Sequence, residues 1–162
     1  MPELTLQRRF AAHKEVVWQH GLVGGIVSGL VMGAFLMVVM AITGDGFFRP
    51  LELIGSIWYG AMTTGGAAIV LGLVTHVVMS AILGVLYALL IPYGRVDPLL
   101  QGLVYGAVVW FLAQIVVLPQ VAAYISDGYP IWAFLLGHLL YGIGLGSYED
   151  WADRRTALRE GV

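Results

Sequence analysis

Residues 21–43, GLVGGIVSGLVMGAFLMVVMAIT, form a run of 23 residues without a single charged side chain. A helix that crosses the hydrocarbon core of a bilayer needs about 20 predominantly apolar residues. The run therefore predicts a membrane-spanning helix, and the composition of the whole chain agrees with it. Of the 162 residues, 59% are hydrophobic and 11% are charged, whereas soluble domains carry about 25% charged residues. The sequence predicts an integral membrane protein whose main partner is the lipid bilayer.

Three further apolar segments predict spans at residues 67–91, 99–118 and 131–148. Pro119 is expected to end the third of these spans. Residues 51–62 predict a short external helix, residues 1–20 a cytoplasmic juxtamembrane amphipathic segment, and residues 149–162 a charged cytoplasmic tail. The predicted fold class is all-α, with residues 21–148 forming a single four-transmembrane-helix bundle.

The positions of the basic residues predict the orientation of these spans. An even number of spans places both termini on one side, together with the turn between the second and third spans. Of the 8 Lys and Arg residues, all but Arg49 fall on that side: Arg8, Arg9, Lys14, Arg95, Arg154, Arg155 and Arg159. Cytoplasmic loops carry an excess of Lys and Arg. We therefore predict a multi-pass protein of the inner (plasma) membrane with both termini in the cytoplasm.

Several classes of function are not expected from this sequence. A net charge of −2 offers no basic surface for nucleic acid. The absence of cysteine excludes disulfides, zinc–thiolate sites and iron–sulfur clusters held by cysteine. No nucleophile elbow, phosphate loop or HExxH motif is present, so nothing points to an enzyme. All Asp and Glu residues lie outside the predicted spans, which argues against a proton pump driven by carboxylates.

Small residues recur every four positions along three of the spans. In a bilayer such stripes allow two helix backbones to approach closely, which is a common mode of helix association. The expected helix-packing positions are Gly21, Gly25, Gly29, Gly33, Gly72, Ser80, Gly84, Gly142 and Gly146. The stripe on the first span is the expected surface for a partner helix, either in a homo-oligomer or in a larger membrane complex.

The order of the motifs predicts an internal repeat. GLVGGIV at 21–27 resembles GLVYGAV at 102–108, and THVVMSAILG at 75–84 resembles GHLLYGIGLG at 137–146. The chain is therefore expected to contain two parallel helical-hairpin repeats, related by a pseudo-two-fold axis along the membrane normal. This symmetry would place His76 and His138 at similar depth on packing faces of spans 2 and 4, where they form one paired-histidine site.

Three interpretations of this histidine pair remain open. Each imidazole can hydrogen-bond a carbonyl, hydroxyl or amide across a helix contact, which fixes helix register. The pair can instead supply both axial ligands of a b-type haem. It can also bind a metal or relay protons, although two histidines alone are an incomplete metal site. The first two interpretations correspond to a structural or accessory membrane component and to a haem-binding electron-transfer protein with His76 and His138 as ligands. A small-solute channel or transporter is a third class of function considered for the chain.

Three segments carry a resemblance to a known group of proteins: THVVMSAILGVLYALL (75–90), GLVYGAVVWFLAQIVVLP (102–119) and FLLGHLLYGIGLGSYE (134–149). They resemble small four-helix bacterial membrane proteins that are classed only as domains of unknown function. The shared pattern stands here as His76, Gly102, Tyr105, Gly106, Trp110, Pro119, His138, Tyr141 and Gly142. The segment after Pro119 lacks the glycines of the pattern, so this loop is expected to differ. The resemblance implies the four-helix topology and no particular chemistry.

Overall fold

The structure, a computed structural model, describes the backbone of residues 2–60, 63–90 and 97–160, and within these ranges the side chains of residues 18–152 and 154. The described chain is helical and contains no β-strand. Its elements are α1 (Pro2–Thr43), α2 (Arg49–Tyr59), α3 (Gly66–Leu90), α4 (Pro98–Phe111), a π-helix (Leu112–Val117), α5 (Leu118–Val121), α6 (Ala123–Asp127) and α7 (Ile131–Glu160).

Four of these segments are long and apolar enough to cross a membrane: Trp18–Thr43, Gly66–Leu90, Pro98–Val121 and Ile131–Ala152. Their surfaces expose large apolar side chains along the whole length, for example Val31 at 53%, Val70 at 61% and Val104 at 56%. A protein in water rarely exposes continuous apolar surface of this extent. The fold therefore supports the prediction of an all-α membrane protein with four spans.

The chain ends continue the first and last spans as helix. The expected juxtamembrane segment at residues 1–20 is part of α1 rather than a separate helix, and the expected tail at residues 149–162 is helical to Glu160. The amphipathic face predicted for residues 1–20 lies mostly on side chains outside the described residues. Arg95, used above to predict the orientation, also lies outside the described residues.

The third span does not end at Pro119. Proline lacks the N–H that an α-helix needs four residues after each carbonyl, and its ring clashes with the carbonyl of residue i−4. The chain accommodates the proline by forming six residues of π-helix immediately before α5, the short helix that contains Pro119. The span thereby extends to Val121. The residues that follow form a second short helix, α6, in the segment expected to be a loop.

Packing divides the bundle into two tight pairs of helices. The first span packs along α3 and α4 packs along α7, while α1 also contacts α7 and α2 lies against α3. The α3 and α4 helices are not packed face to face. Tyr105 joins them on the side of the chain termini, because its hydroxyl donates to Leu83 O (2.6 Å) and its ring contacts that of Tyr87. The two helices are therefore bridged in the half of the bundle near the termini, and the gap between them lies in the opposite half.

Candidate functional site

His76 and His138 line one cavity in the half of the bundle opposite the termini. The cavity has a volume of about 350 Å³, and every described helix contributes to its walls. Counted from the far ends of α3 and α7, the two histidines lie about 15 Å and about 10 Å along their helices, at 1.5 Å per residue. The pair predicted from the sequence is therefore brought together within the depth of the spans.

The His76 ring lies against α1, where the glycine stripe leaves room for it. Its Nε2 is 2.8 Å from Gly29 O. A carbonyl oxygen can only accept a hydrogen bond, so Nε2 carries the proton and donates it. A Cβ on Gly33 would stand 3.2 Å from the same nitrogen, which is too close for a relaxed contact. Glycine at these positions thus allows the imidazole to reach a backbone carbonyl of the neighbouring helix.

The His138 ring is buried, with 6% of the residue exposed. Its Nδ1 is 2.8 Å from Phe134 O, one turn earlier on its own helix. The Phe134 ring packs edge-on against the imidazole at a centroid distance of 4.5 Å. Among the described residues, Nε2 of His138 makes no hydrogen bond. The two histidines are therefore held differently, one across the α1–α3 contact and the other within α7.

The remaining polar groups of the cavity make hydrogen bonds that the sequence did not predict. Tyr141 donates its hydroxyl to Ser80 O (2.7 Å), which links α7 to α3. Tyr129 donates to Pro50 O (3.1 Å), and burial raises the pKa of this hydroxyl. These bonds join segments that are distant in sequence. Tyr141 is one of the residues of the pattern that the chain shares with the uncharacterised membrane proteins. For Tyr141, its position inside a span was the signal that could have indicated the bond, since a buried hydroxyl usually finds a partner.

The predicted packing glycines lie at helix contacts within the chain. Gly21 and Gly25 face the backbone of α3 at Gly84 and Ser80, and Gly29 faces the side chain of Ser80. The stripe on the first span therefore packs on α3 of the same chain. The expectation that this stripe is open to a partner helix is wrong for that surface, because α3 already covers it.

The other predicted packing positions divide between two contacts. Gly72 faces the backbone of α2 at Leu51. Gly142 faces Gly102, and Gly146 faces Pro98, so both belong to the contact between α4 and α7. Gly55 of α2, which was not singled out from the sequence, faces the backbone at Ala68. The contacts of Gly55 and Gly72 fix α2 across α3 beside the cavity.

The π-helix forms one wall of the cavity through Leu112, Ala113 and Val117. Short π-helical segments occur frequently at functional sites. In this region Gln114 donates weakly from Nε2 to Ser126 O (3.4 Å), while its Oε1 has no partner among the described residues. Nε1 of Trp110 is likewise buried without a partner in the described part of the chain.

The residues of the cavity fit some bound groups better than others. No group of three or more His, Cys, Asp or Glu side chains suited to hold a metal occurs among the described residues. A haem held through Nε2 of both histidines would require His76 to give up its bond to Gly29 O. Apart from the histidines, the polar lining residues are Thr75, Ser80, Tyr129 and Tyr141; the rest of the lining is apolar, with no charged side chain among the described residues. The arrangement suits a small apolar molecule with one polar group.

Comparison with known proteins identifies the family. The model of the Family of unknown function (DUF6789) matches residues 16–159. The match covers most of the chain, so the chain belongs to this family, and the resemblance to an uncharacterised family is confirmed. No curated protein matches the chain. No solved structure matches it either.

Proposed function

Starting from membership of a family without an assigned activity, we propose that the protein is an accessory component of the inner membrane that binds a small apolar molecule. The observation that carries this proposal is the cavity of about 350 Å³ with two histidines in its wall. An engineered apolar cavity of about 150 Å³ is large enough to bind benzene. The present cavity is about twice that size and can hold a molecule of two fused rings or a short acyl chain.

The position of the opening supports binding from the membrane. Four lining residues are about half exposed: Ile57, Met79, Leu112 and Val117. They lie on α2, α3 and the π-helix, on both sides of the gap between α3 and the third span. This surface belongs to the apolar face of the spans. A molecule dissolved in the bilayer would therefore reach the cavity without crossing water.

Binding of a simple apolar probe tests the proposal. Naphthalene is titrated by calorimetry against the full chain in lipid nanodiscs, with protein-free nanodiscs as blank. We expect Ala113→Phe, which fills the cavity, to reduce the affinity at least tenfold. The matched control is Val116→Phe, because Val116 belongs to the same π-helix, is 46% exposed and does not line the cavity. Equal binding by both variants and the unmodified chain would show that the cavity is not the binding site.

The proposed orientation, with both termini cytoplasmic, is supported by the distribution of Lys and Arg. Because the chain has no cysteine, single introduced cysteines report accessibility without background. We expect Asp45→Cys to react with a membrane-impermeant maleimide in intact cells, and Arg154→Cys to react only after permeabilisation. Both positions are exposed. The opposite pattern would reverse the proposed topology.

An accessory role also implies association, either as a homo-oligomer or as a subunit of a larger membrane complex. The stripe of the first span is used within the chain, so association has to use another surface. The mass of the purified particle, measured by light scattering with the detergent contribution subtracted, distinguishes these states. A monomer that copurifies with no other protein would contradict the accessory role.

The two other functions considered from the sequence have direct tests. The visible spectrum of protein purified from membranes, before and after dithionite, tests haem binding. A Soret band that is lost in both His76→Ala and His138→Ala would replace the present proposal with an electron-transfer function. A channel or transporter predicts solute flux in liposomes. The apolar wall of the cavity, in which Thr75, Ser80 and the histidines are among the few polar groups, argues against a polar path.

A further inference from the structure

The hydrogen bonds of the two imidazoles determine what they can offer to a ligand. In both rings one nitrogen faces a backbone carbonyl at 2.8 Å and must donate to it. An imidazolium would be an unpaired charge here, because no Asp or Glu lines the described cavity, and burying an unpaired charge is very costly. Each ring is therefore neutral, and its second nitrogen carries a lone pair. In His138 this nitrogen is Nε2, at the tip of the side chain.

The two tyrosines of the wall direct their hydrogens into the protein as well. The hydroxyls of Tyr129 and Tyr141 donate to the backbone carbonyls of Pro50 and Ser80. The hydroxyl oxygen of Thr75 accepts from Trp58 Nε1 at 2.8 Å. Four hydrogens of the lining side chains are thus used on protein carbonyls, while lone pairs remain. The hydroxyl hydrogens of Thr75 and Ser80 have no acceptor among the described residues, whereas the two histidines and the two tyrosines offer a ligand lone pairs only.

We propose that the ligand is a lipid-soluble alcohol or phenol whose hydroxyl donates a hydrogen bond to Nε2 of His138, and that it enters from the bilayer between α3 and the π-helix. This inference rests on the proposed function of the cavity and adds the chemical class of the ligand. A ketone, an ether or a hydrocarbon of the same shape cannot donate and leaves the nitrogen without a partner. A fatty acid would bring a carboxylate next to walls that offer it no charged side chain.

Matched aromatic probes of the right size test the head group. 2-Naphthol and 2-methoxynaphthalene share the ring system, but only naphthol carries a donor. Their affinities are measured by calorimetry with the full chain in nanodiscs, for the unmodified protein, His138→Phe and His138→Gln. The ratio of the two affinities is compared between proteins, so that the different partition of the two probes into lipid cancels.

We expect the preference for naphthol to be about fivefold smaller in His138→Phe than in the unmodified chain, since one net hydrogen bond changes an affinity by about this factor. His138→Gln should restore most of the preference, because its amide oxygen is an acceptor near the position of Nε2. A corresponding His76→Gln keeps an N–H donor for Gly29 O and serves as the control for a histidine change elsewhere in the wall.

The outcomes separate the two proposals. If naphthalene binds and is lost in Ala113→Phe, but the naphthol preference is the same in all His138 variants, the cavity binds apolar molecules and the assignment of the head group is overturned. If His138→Gln loses the preference as fully as His138→Phe, the acceptor role is likewise overturned. If no probe binds at all, the proposed function itself fails.

Discussion

The substitution Gly142→Ala tests the central packing of the bundle. Gly142 of α7 lies directly against α4. A Cβ added there would meet the carbonyl oxygen of Gly102 and would stand 2.8 Å from the carbonyl carbon of Gly102 and 3.1 Å from the nitrogen of Gly106. All three atoms belong to the backbone. They cannot rotate away as a side chain would, so the two helices have to separate.

The expected cost follows from these distances. Non-bonded carbon atoms are best placed about 3.5–4.0 Å apart, so the Gly102 carbon would be about 1 Å too close. Overpacking of this kind costs about 1–3 kcal/mol, and contacts with backbone place it near the upper end. Alanine gains about 1 kcal/mol over glycine in a helix interior. We therefore expect Gly142→Ala to destabilise the folded state by about 2 kcal/mol.

The matched control is Gly137→Ala on the same helix. A Cβ at Gly137 would lie 3.4 Å from the side chains of Leu36 and Met32, which is an ordinary contact with groups that can adjust. Only the gain in helix propensity then remains, so this variant should be neutral or up to about 1 kcal/mol more stable. The difference of about 3 kcal/mol between the two variants is the quantity to be measured.

Equilibrium unfolding in mixed micelles with increasing SDS, followed by circular dichroism, gives these free energies. The double variant with Gly102→Ala and Gly142→Ala adds an internal check. Both substitutions force the same two helices apart, so the double variant should lose less stability than the sum of the losses in the two single variants. If Gly142→Ala is as stable as Gly137→Ala, the close approach of α4 and α7 at this position is refuted.

Substitutions at three further residues probe single hydrogen bonds by the same unfolding measurement. His76→Ala removes the bond to Gly29 O and should cost about 0.6 kcal/mol, the average for such bonds between membrane helices, whereas His76→Gln, which keeps a donor, should cost less. Tyr129→Phe leaves the carbonyl of Pro50 without its donor and should cost about 1 kcal/mol. Burial raises the pKa of Tyr129, so the stability that this residue contributes is fully present below the unfolded-state pKa of about 10 and is lost as pH rises toward the folded-state pKa. The unmodified chain should therefore lose stability more steeply above about pH 10 than Tyr129→Phe. Parallel curves of stability against pH would contradict this. Asp97→Ala removes the cap on the backbone N–H of Leu100 (3.1 Å) and should cost about 1 kcal/mol, while Asp97→Ser should be close to the unmodified chain.

The number of long apolar helices was predictable because it depends on one physical quantity, the thickness of the bilayer. The apolar run at residues 21–43 is longer than the bilayer requires, and this can be read from the sequence without knowing which helix packs against it. The internal ends of the spans depend on local chemistry and were less predictable. Pro119 usually signals the end of a helix, but here the chain changes to π-helical geometry and continues to Val121. Which response a proline produces depends on the packing around it.

The direction in which a small-residue stripe faces was not predictable from its spacing alone. Gly72, Ser80 and Gly84 are multiples of four apart, but a helix turns by 400° in four residues, so the stripe advances by about 40° at each step. Between Gly72 and Gly84 it rotates by about 120° around α3. This rotation explains why Gly72 faces α2 while Gly84 faces α1. The sequence could identify small residues as contact positions, but it could not assign them to one neighbour.

The proposed repeat accounts for the unequal surroundings of the two histidines. Aligning GLVGGIV with GLVYGAV places Gly29 of the first span opposite Trp110 of α4. Gly29 has no side chain, and its carbonyl accepts from His76 across the α1–α3 contact. Trp110 stands at the corresponding position of α4 in this alignment, and His138 makes no hydrogen bond to α4 among the described residues.

The His138 imidazole instead donates to Phe134 O on its own helix. This leaves Nε2 without a protein partner among the described residues. In the proposed repeat, the two histidines therefore differ in where they donate: His76 donates across a helix contact, whereas His138 donates along its own helix and keeps Nε2, at the tip of its side chain, as an acceptor for a ligand.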